Sequence, residues 1–291
     1  MKKIFCLIYF FFILLLPTTI YSKSYILIDK GKKCLYIKEK NHILSVYEIG
    51  LGIKSPIPKE KKGDFLTPEG IYHIVSIRPS QRYFYFIELD YPNINDIAWA
   101  YYNGLIDKKV FCEYLIHKRK NIKIYNTLGY GIGIHGGGAF KYIIKNGKIF
   151  KDYHWTQGCI ALSNKDILEV LKNSYIKEPV FILNSENSLY EILKKFVYPI
   201  EIKPLKYFKG ELRFKINDSI YYRFILQEFW SGKRVLIFQR WENGTPKMEI
   251  KSNINGKFKR PFHSLEKFLK NILINTSYLI ERTIYKNQLC N

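Results

Sequence analysis

Six of the ten residues from Gly129 to Gly138 are glycine, and the first three alternate with Tyr130, Ile132 and Ile134 before the segment meets His135. A repeat of two is the signature of a strand. Glycine inside a strand marks a place where another backbone must come close. The segment therefore predicts a tightly packed strand that ends in an imidazole flanked by Gly136. A second constrained stretch lies downstream, Trp155-Thr156-Gln157-Gly158-Cys159-Ile160-Ala161-Leu162-Ser163-Asn164. Ser163 or Asn164 can cap a helix, Asp166 falls in its first turn, and Ile167, Val170 and Leu171 have the spacing of a buried stripe. Cys159 is thus expected just before a helix.

Strands dominate the remaining pattern up to residue 184. Segments 24–29 and 34–39 flank Lys30-Gly31-Lys32-Lys33, a hairpin signal. Segments 44–50, 71–77, 84–89 and 179–183 read the same way, and 96–114 reads as partly helical. From about residue 185 the style changes. Leu189, Ile192, Leu193 and Phe196 make an amphipathic helix, and Pro199 and Pro204 read as bracketing a linker. Strands are expected at 211–216, 220–226, 234–240 and 247–251, with turns at Asn243-Gly244 and Asn255-Gly256. Leu265, Phe268, Leu269 and Ile272 form a last helical stripe. The 24 Tyr and 20 Phe suit β structure, where aromatic side chains pack on a pleated surface. The expectation is a mainly β domain over 24–184 and a small α+β domain over 185–291.

Residues 1–22 read as a secretory signal peptide: Lys2 and Lys3, then an apolar run from Ile4 to Leu16, then Pro17 and a small residue at Ser22. This places the protein in the periplasm or cell envelope. Membrane association is expected only if that segment stays uncleaved. The formal charge of +22 asks for an anionic neighbourhood, but it is spread along the chain and accompanies no nucleic-acid motif. Nucleic acid is not an expected partner. The five cysteines form no CxxC pair and no zinc-like cluster, so no metal is expected. Cys34 and Cys112 can be read as a disulfide or as two small buried residues.

A cysteine nucleophile needs a base, because a free thiol with a pKa of about 8.5 is mostly protonated at neutral pH. It also needs backbone donors for the developing oxyanion. Cys159 lies before a helix N-terminus, which favours a thiolate. Gly158 leaves space for a substrate carbonyl, and the N–H groups of Gln157, Gly158 and Cys159 are candidate oxyanion donors. His135 is the expected base; His154, in the approach loop, is the rival. Asp152 and Trp155 are candidate groove residues. Asp64 and Glu69 read as turn residues, and Tyr72 and Tyr130 as groove-lining or packing residues.

The ordered set resembles the YkuD-type L,D-transpeptidase family. Gly63-Asp64-Phe65-Leu66-Thr67-Pro68-Glu69-Gly70-Ile71-Tyr72 is similar to its GD..TPEG.Y signature, Ile134-His135-Gly136 to its histidine motif, and Thr156-Gln157-Gly158-Cys159-Ile160 to its [ST]xGC core, with Asn164 following. Tyr91-Pro92-Asn93 with Asp96 resembles the YafK-like branch. The resemblance implies a β-sandwich-like catalytic domain with short helices. It also implies a Cys159–His135 pair, the Gly136 carbonyl orienting the imidazole, and no cofactor. Gln157 stands where many members have His, and Ala161 where many have Arg or Asn, which bears on recognition of the donor carboxylate. The implied chemistry is acyl transfer through a thioester on peptidoglycan stem tetrapeptides. Hydrolysis of stem-peptide or wall-protein bonds is the alternative, with a wall-anchored lipoprotein as a partner. A non-catalytic wall-binding envelope protein is the third reading.

Overall fold

A computed structural model describes residues 24–117, 122–253, 267, 270, 271, 280 and 281. The expected signal peptide, the Asn255-Gly256 turn and the last helical stripe at 265, 268, 269 and 272 lie outside the described residues.

Ten strands precede residue 184: β1 (Ser24–Asp29), β2 (Cys34–Glu39), β3 (His42–Glu48), β4 (Gly70–Ser80), β5 (Phe84–Leu89), β6 (Gly133–His135), β7 (Lys141–Lys145), β8 (Lys148–Asp152), β9 (Ile160–Ala161) and β10 (Pro179–Leu183). Eight of them form one sheet in the order β3-β2-β1-β10-β4-β5-β6-β9. The sheet closes on itself: just past β3, Gly50 bridges Ala161 of β9 through two N–H···O bonds of 2.8 Å. Alternation along the strands sorts side chains to its two faces. Ile26, Ile28, Ile74, Ile87, Ile134, Ile160 and Ile182 fill one core, capped by Ile167 and Val170 of the helix α4 (Asn164–Lys172).

Tyr25, Leu27, Ile71, Phe181 and Leu183 face the other way. They pack with helices α1 (Ile94–Tyr102), α2 (Lys108–His117), α3 (Ile122–Leu128) and α5 (Leu189–Phe196). The expected helix over 96–114 is two helices, because Gly104 takes a φ of 70° between them. Asn93 starts α1 with a capping box: its side chain accepts from Asn95 N–H at 3.0 Å while Asp96 accepts from Asn93 N–H at 2.8 Å. Asp96 of the YPN..D segment therefore serves as a cap. Burial, the largest influence, raises its carboxyl to about 7.

The same core continues past residue 185. Strands β11 (Tyr198–Lys203), β12 (Tyr207–Lys215), β13 (Ile220–Phe229), β14 (Arg234–Glu242) and β15 (Thr245–Asn253) form an antiparallel sheet, and β16 (Ile280–Glu281) pairs with β12. Phe208, Leu212, Phe214, Phe224, Leu226 and Phe238 belong to the same apolar cluster as Tyr25 and Phe181. Trp99 of α1 stacks on Phe208 with ring centroids 4.2 Å apart. The segment between Pro199 and Pro204 is strand β11 rather than a linker, since an edge strand tolerates a proline that cannot donate to the ladder.

Cys34 and Cys159 are free while Cys112 is disulfide-bonded, so Cys34 and Cys112 are not paired to each other. Tyr72 is 1% exposed and donates its hydroxyl to Asp96 at 2.9 Å, so it packs rather than lining a groove.

Candidate active site

Strands β6 and β9 run parallel with Ile134 opposite Ile160 and His135 opposite Ala161. Both isoleucines point into the closed sheet's core. Alternation then sends His135 and Ala161 to the outer face, together with Cys159 two positions before Ala161. Cys159 immediately precedes β9, and its thiol meets the Gly131 carbonyl and the Gly133 N–H at the start of β6, the strand that ends in His135.

The imidazole is fixed on one side: Nδ1 and the Gly136 carbonyl oxygen are 2.6 Å apart. An N–H at Nδ1 donating to that oxygen leaves Nε2 with a lone pair, the form a base requires. Rings pack around it. Tyr83 lies with its centroid 4.3 Å away, Phe86 stacks at 6.2 Å, and Trp155 meets it edge-on at 6.2 Å. Burial is the main cause that lowers the imidazole pKa below its ordinary value. The Gly136 bond opposes this, and the positive charge of Arg82 adds to it.

The Cys159 thiol lies 3.6 Å from the Gly131 carbonyl oxygen, to which it donates. Burial, the largest cause, pushes its pKa up, while the Gly133 N–H and the ammonium of Lys59 pull it down. A lowered imidazole and a raised thiol both favour the uncharged pair at rest.

The turn before Cys159 is held by contacts that only glycine allows. Gly158 has a φ of 113°, and a Cβ there would lie 2.6 Å from the Leu66 carbonyl oxygen. Its N–H is engaged with Thr156 Oγ1 at 3.2 Å, and that hydroxyl donates to the Cys159 carbonyl at 2.7 Å. Of the three expected oxyanion donors, Gly158 is thus already committed. Among the described residues no acceptor engages the N–H of Gln157 or Cys159.

Gly52 presses on the same turn. A Cβ there would fall 2.1 Å from the Phe65 carbonyl oxygen and 3.1 Å from Gly158 Cα. Both are backbone atoms and cannot swing aside. Gly52→Ala should cost about 1–3 kcal/mol, the usual penalty of overpacking, and displace the Cys159 turn. A lowered urea midpoint together with slowed alkylation of Cys159 checks this.

Several residues around the pair were not apparent from the sequence. Asn164 Oδ1 accepts from Gly137 N–H at 2.8 Å, tying the histidine loop to the start of α4, while Ser163 is the N-cap. Lys59 is a buried cation. Its Nζ donates to Asp64 at 2.7 Å and to the Lys61 carbonyl at 2.9 Å. Burial alone would raise the Asp64 carboxyl, but Lys59 and the N–H groups of Lys61, Glu60 and Leu66 together hold it below its ordinary value. Asp64 thus organises the loop that carries Lys59, and Glu69 pairs with Lys30 at 2.8 Å. The spacing Lys59–Asp64 is the sequence signal that could have shown this.

Lys59→Met should move the pH midpoint of Cys159 alkylation upward, because a cation that stabilises the thiolate is lost. It should also cost about 3 kcal/mol by leaving Asp64 buried without its partner. Asp64→Asn keeps the cation and should lower stability without raising that midpoint.

His154, the rival base, is anchored through Nδ1 as well, to a carbonyl on a different segment. Its Nδ1 lies 2.9 Å from the Gly52 carbonyl oxygen, and it lines a cleft of about 510 Å³ with Gly52, Thr67, Lys30, Lys33 and Lys54. Neither Cys159 nor His135 lines that cleft. Asp152 accepts from His154 N–H at 2.9 Å. Tyr130 is 65% exposed, with its ring 5.5 Å from that of Tyr125. Among the described residues no group of His, Cys, Asp and Glu is arranged to hold a metal.

The YkuD profile, an L,D-transpeptidase catalytic domain, matches residues 23–182. The Escherichia coli K12 protein named "Putative L,D-transpeptidase YafK" is 36% identical over 91 residues, 28% of this chain. Its O157:H7 counterpart matches equally. The match spans 35% of the length of these curated relatives. The catalytic domain of the E. faecium L,D-transpeptidase aligns over 56% of this chain and 99% of its own, at 12% identity and a TM-score of 0.33. An L,D-transpeptidase from Xylanimonas cellulosilytica aligns over 56% of this chain and 61% of its own, at 15% identity and a TM-score of 0.32. The profile match covers more than half of the sequence and takes in both the histidine and the cysteine motif, and the chain belongs to the YkuD family of L,D-transpeptidase catalytic domains.

Proposed function

We propose that the protein is an exported peptidoglycan L,D-transpeptidase that works through a Cys159 thioester on stem tetrapeptides. What supports this most is an imidazole anchored through Nδ1 at the end of β6 and a thiol that enters the adjacent parallel strand β9. In this reading His135 Nε2 takes the thiol proton as sulfur attacks the carbonyl on the L-centre of the stem's diamino acid. The free N–H groups of Gln157 and Cys159 receive the oxyanion. As the tetrahedral intermediate collapses, the bond to the terminal D-Ala breaks, and His135 returns the proton to the departing amine. An acceptor amine then takes the acyl group from sulfur, and the thiol is restored. Residues 24–184 carry this chemistry, and residues 185–291 act as an accessory unit behind it.

Incubation of purified sacculi with the protein, followed by separation of muropeptides, tests the reading. New 3–3 cross-links that depend on Cys159 support transfer. Stem tripeptides without new cross-links assign the enzyme to hydrolysis, and release of wall-bound protein assigns it to amidase action. Unchanged muropeptides together with an unlabelled Cys159 leave the non-catalytic envelope reading.

A further inference from the structure

Strands β7 and β8 form a separate two-stranded sheet between the histidine and cysteine motifs. Its turn, Lys145-Asn146-Gly147-Lys148, has φ of 51° at Asn146 and 72° at Gly147, the positive pair that a two-residue hairpin turn requires. The base is tied to the rest of the molecule. Lys141 Nζ sits 4.3 Å over the Trp155 ring and donates to the Gly137 carbonyl at 3.2 Å. Lys151 pairs with Glu48 at 3.6 Å. The outer half is different. Tyr142 is 70% exposed, Ile144 76%, Ile149 70% and Phe150 47%. Ile144 and Ile149 are direct cross-strand partners, and the next pair outward is Lys145 with Lys148. Among the described residues no carboxylate pairs with either tip lysine.

We propose that this hairpin is a docking device for an anionic phospholipid surface. Ile144 and Ile149 enter the boundary between headgroups and acyl chains while Lys145 and Lys148 meet the phosphates. The combination selects the partner. An anionic polymer would satisfy the lysines but leave the apolar side chains in water. An apolar protein groove would take the isoleucines but strip water from two cations without pairing them. A bilayer interface receives both, because lysine stems run along the apolar layer while their ammonium groups stay at the surface. The formal charge of +22 adds long-range attraction to an anionic surface. No described helix is long and apolar enough to cross a membrane.

Limited trypsin digestion of the full chain, with fragments mapped by mass, tests the proposal at the tip itself. Vesicles of phosphatidylcholine mixed with phosphatidylglycerol should slow cleavage after Lys145 and Lys148 strongly, while cleavage after the exposed Lys233 continues. Vesicles of phosphatidylcholine alone should not. Attachment through the N-terminal apolar segment would not shield the tip selectively. Ile144→Glu with Ile149→Glu should abolish the protection and leave Cys159 alkylation at its normal rate. Lys145→Ala or Lys148→Ala should each weaken vesicle binding about fivefold, read at the lysine that remains. Equal protection in the glutamate variant, protection by sacculi instead of vesicles, or no protection at all would each overturn the proposal.

Discussion

Cys159→Ala should reduce formation of 3–3 cross-links by about 10⁴-fold or more, to the level of sacculi incubated alone. Loss of a covalent nucleophile removes the route itself, and what survives comes only from binding and oxyanion donors. The substitution deletes one sulfur from a half-buried site, so the fold should persist, as an unchanged thermal transition would verify. Cys34→Ala is the matched control. That thiol is also free, stands at the start of β2 and contacts the Lys32 carbonyl at 3.4 Å. It should leave activity intact. Equal activity in wild type and Cys159→Ala would remove the thioester from the mechanism.

His135→Asn is expected to cost about 10²–10⁴-fold, the usual worth of a positioned general base. Its pH behaviour separates a base from a packing residue. Burial keeps the folded imidazole neutral below the ordinary histidine value of about 6.5, so the acid limb of the wild-type rate should lie below that pH. In the variant this limb should vanish, and alkylation of Cys159 should follow the raised thiol alone. Stability supplies the second readout. Below about pH 6.5 the unfolded chain binds a proton at residue 135 that the folded chain refuses. Stability contributed by the buried neutral ring is therefore present above that pH and lost as the pH falls toward the folded value. The asparagine variant should lack this acid-dependent loss. Retention of the acid limb in the variant would transfer the role to another group.

Much of this site could be read in one dimension because its parts are local. β1, β2, β5 and β10 fall where alternation puts them, and α4 begins at the Ser163 cap. The Gly136 carbonyl lies one residue from the ring it anchors, so a short motif was enough to point to it. Parts that depend on distant contacts were not legible. Nothing near Asn164 in sequence says that it holds Gly137, and the engagement of the Gly158 N–H depends on how Thr156 turns within the bend. The β11 edge strand was masked by Pro199, which breaks an interior strand but not a border one. The β7–β8 hairpin went unread for the opposite reason. Both of its faces are open, so its strands lack the apolar-in, polar-out alternation of a sheet on a core, although Asn146-Gly147 announces the turn.

The bridge between Gly50 and Ala161 has a kinetic consequence. It joins parts of the chain that lie far apart in sequence, so its closure must wait until the entropy of a long loop has been spent. Until β9 seats between β6 and Gly50, the sulfur two residues before Ala161 lacks its Gly131 and Gly133 neighbours and behaves as an ordinary exposed thiol. Ordinary thiol reactivity at Cys159 is thus lost, not gained, as β9 seats, and its decline follows that closure rather than the first strands.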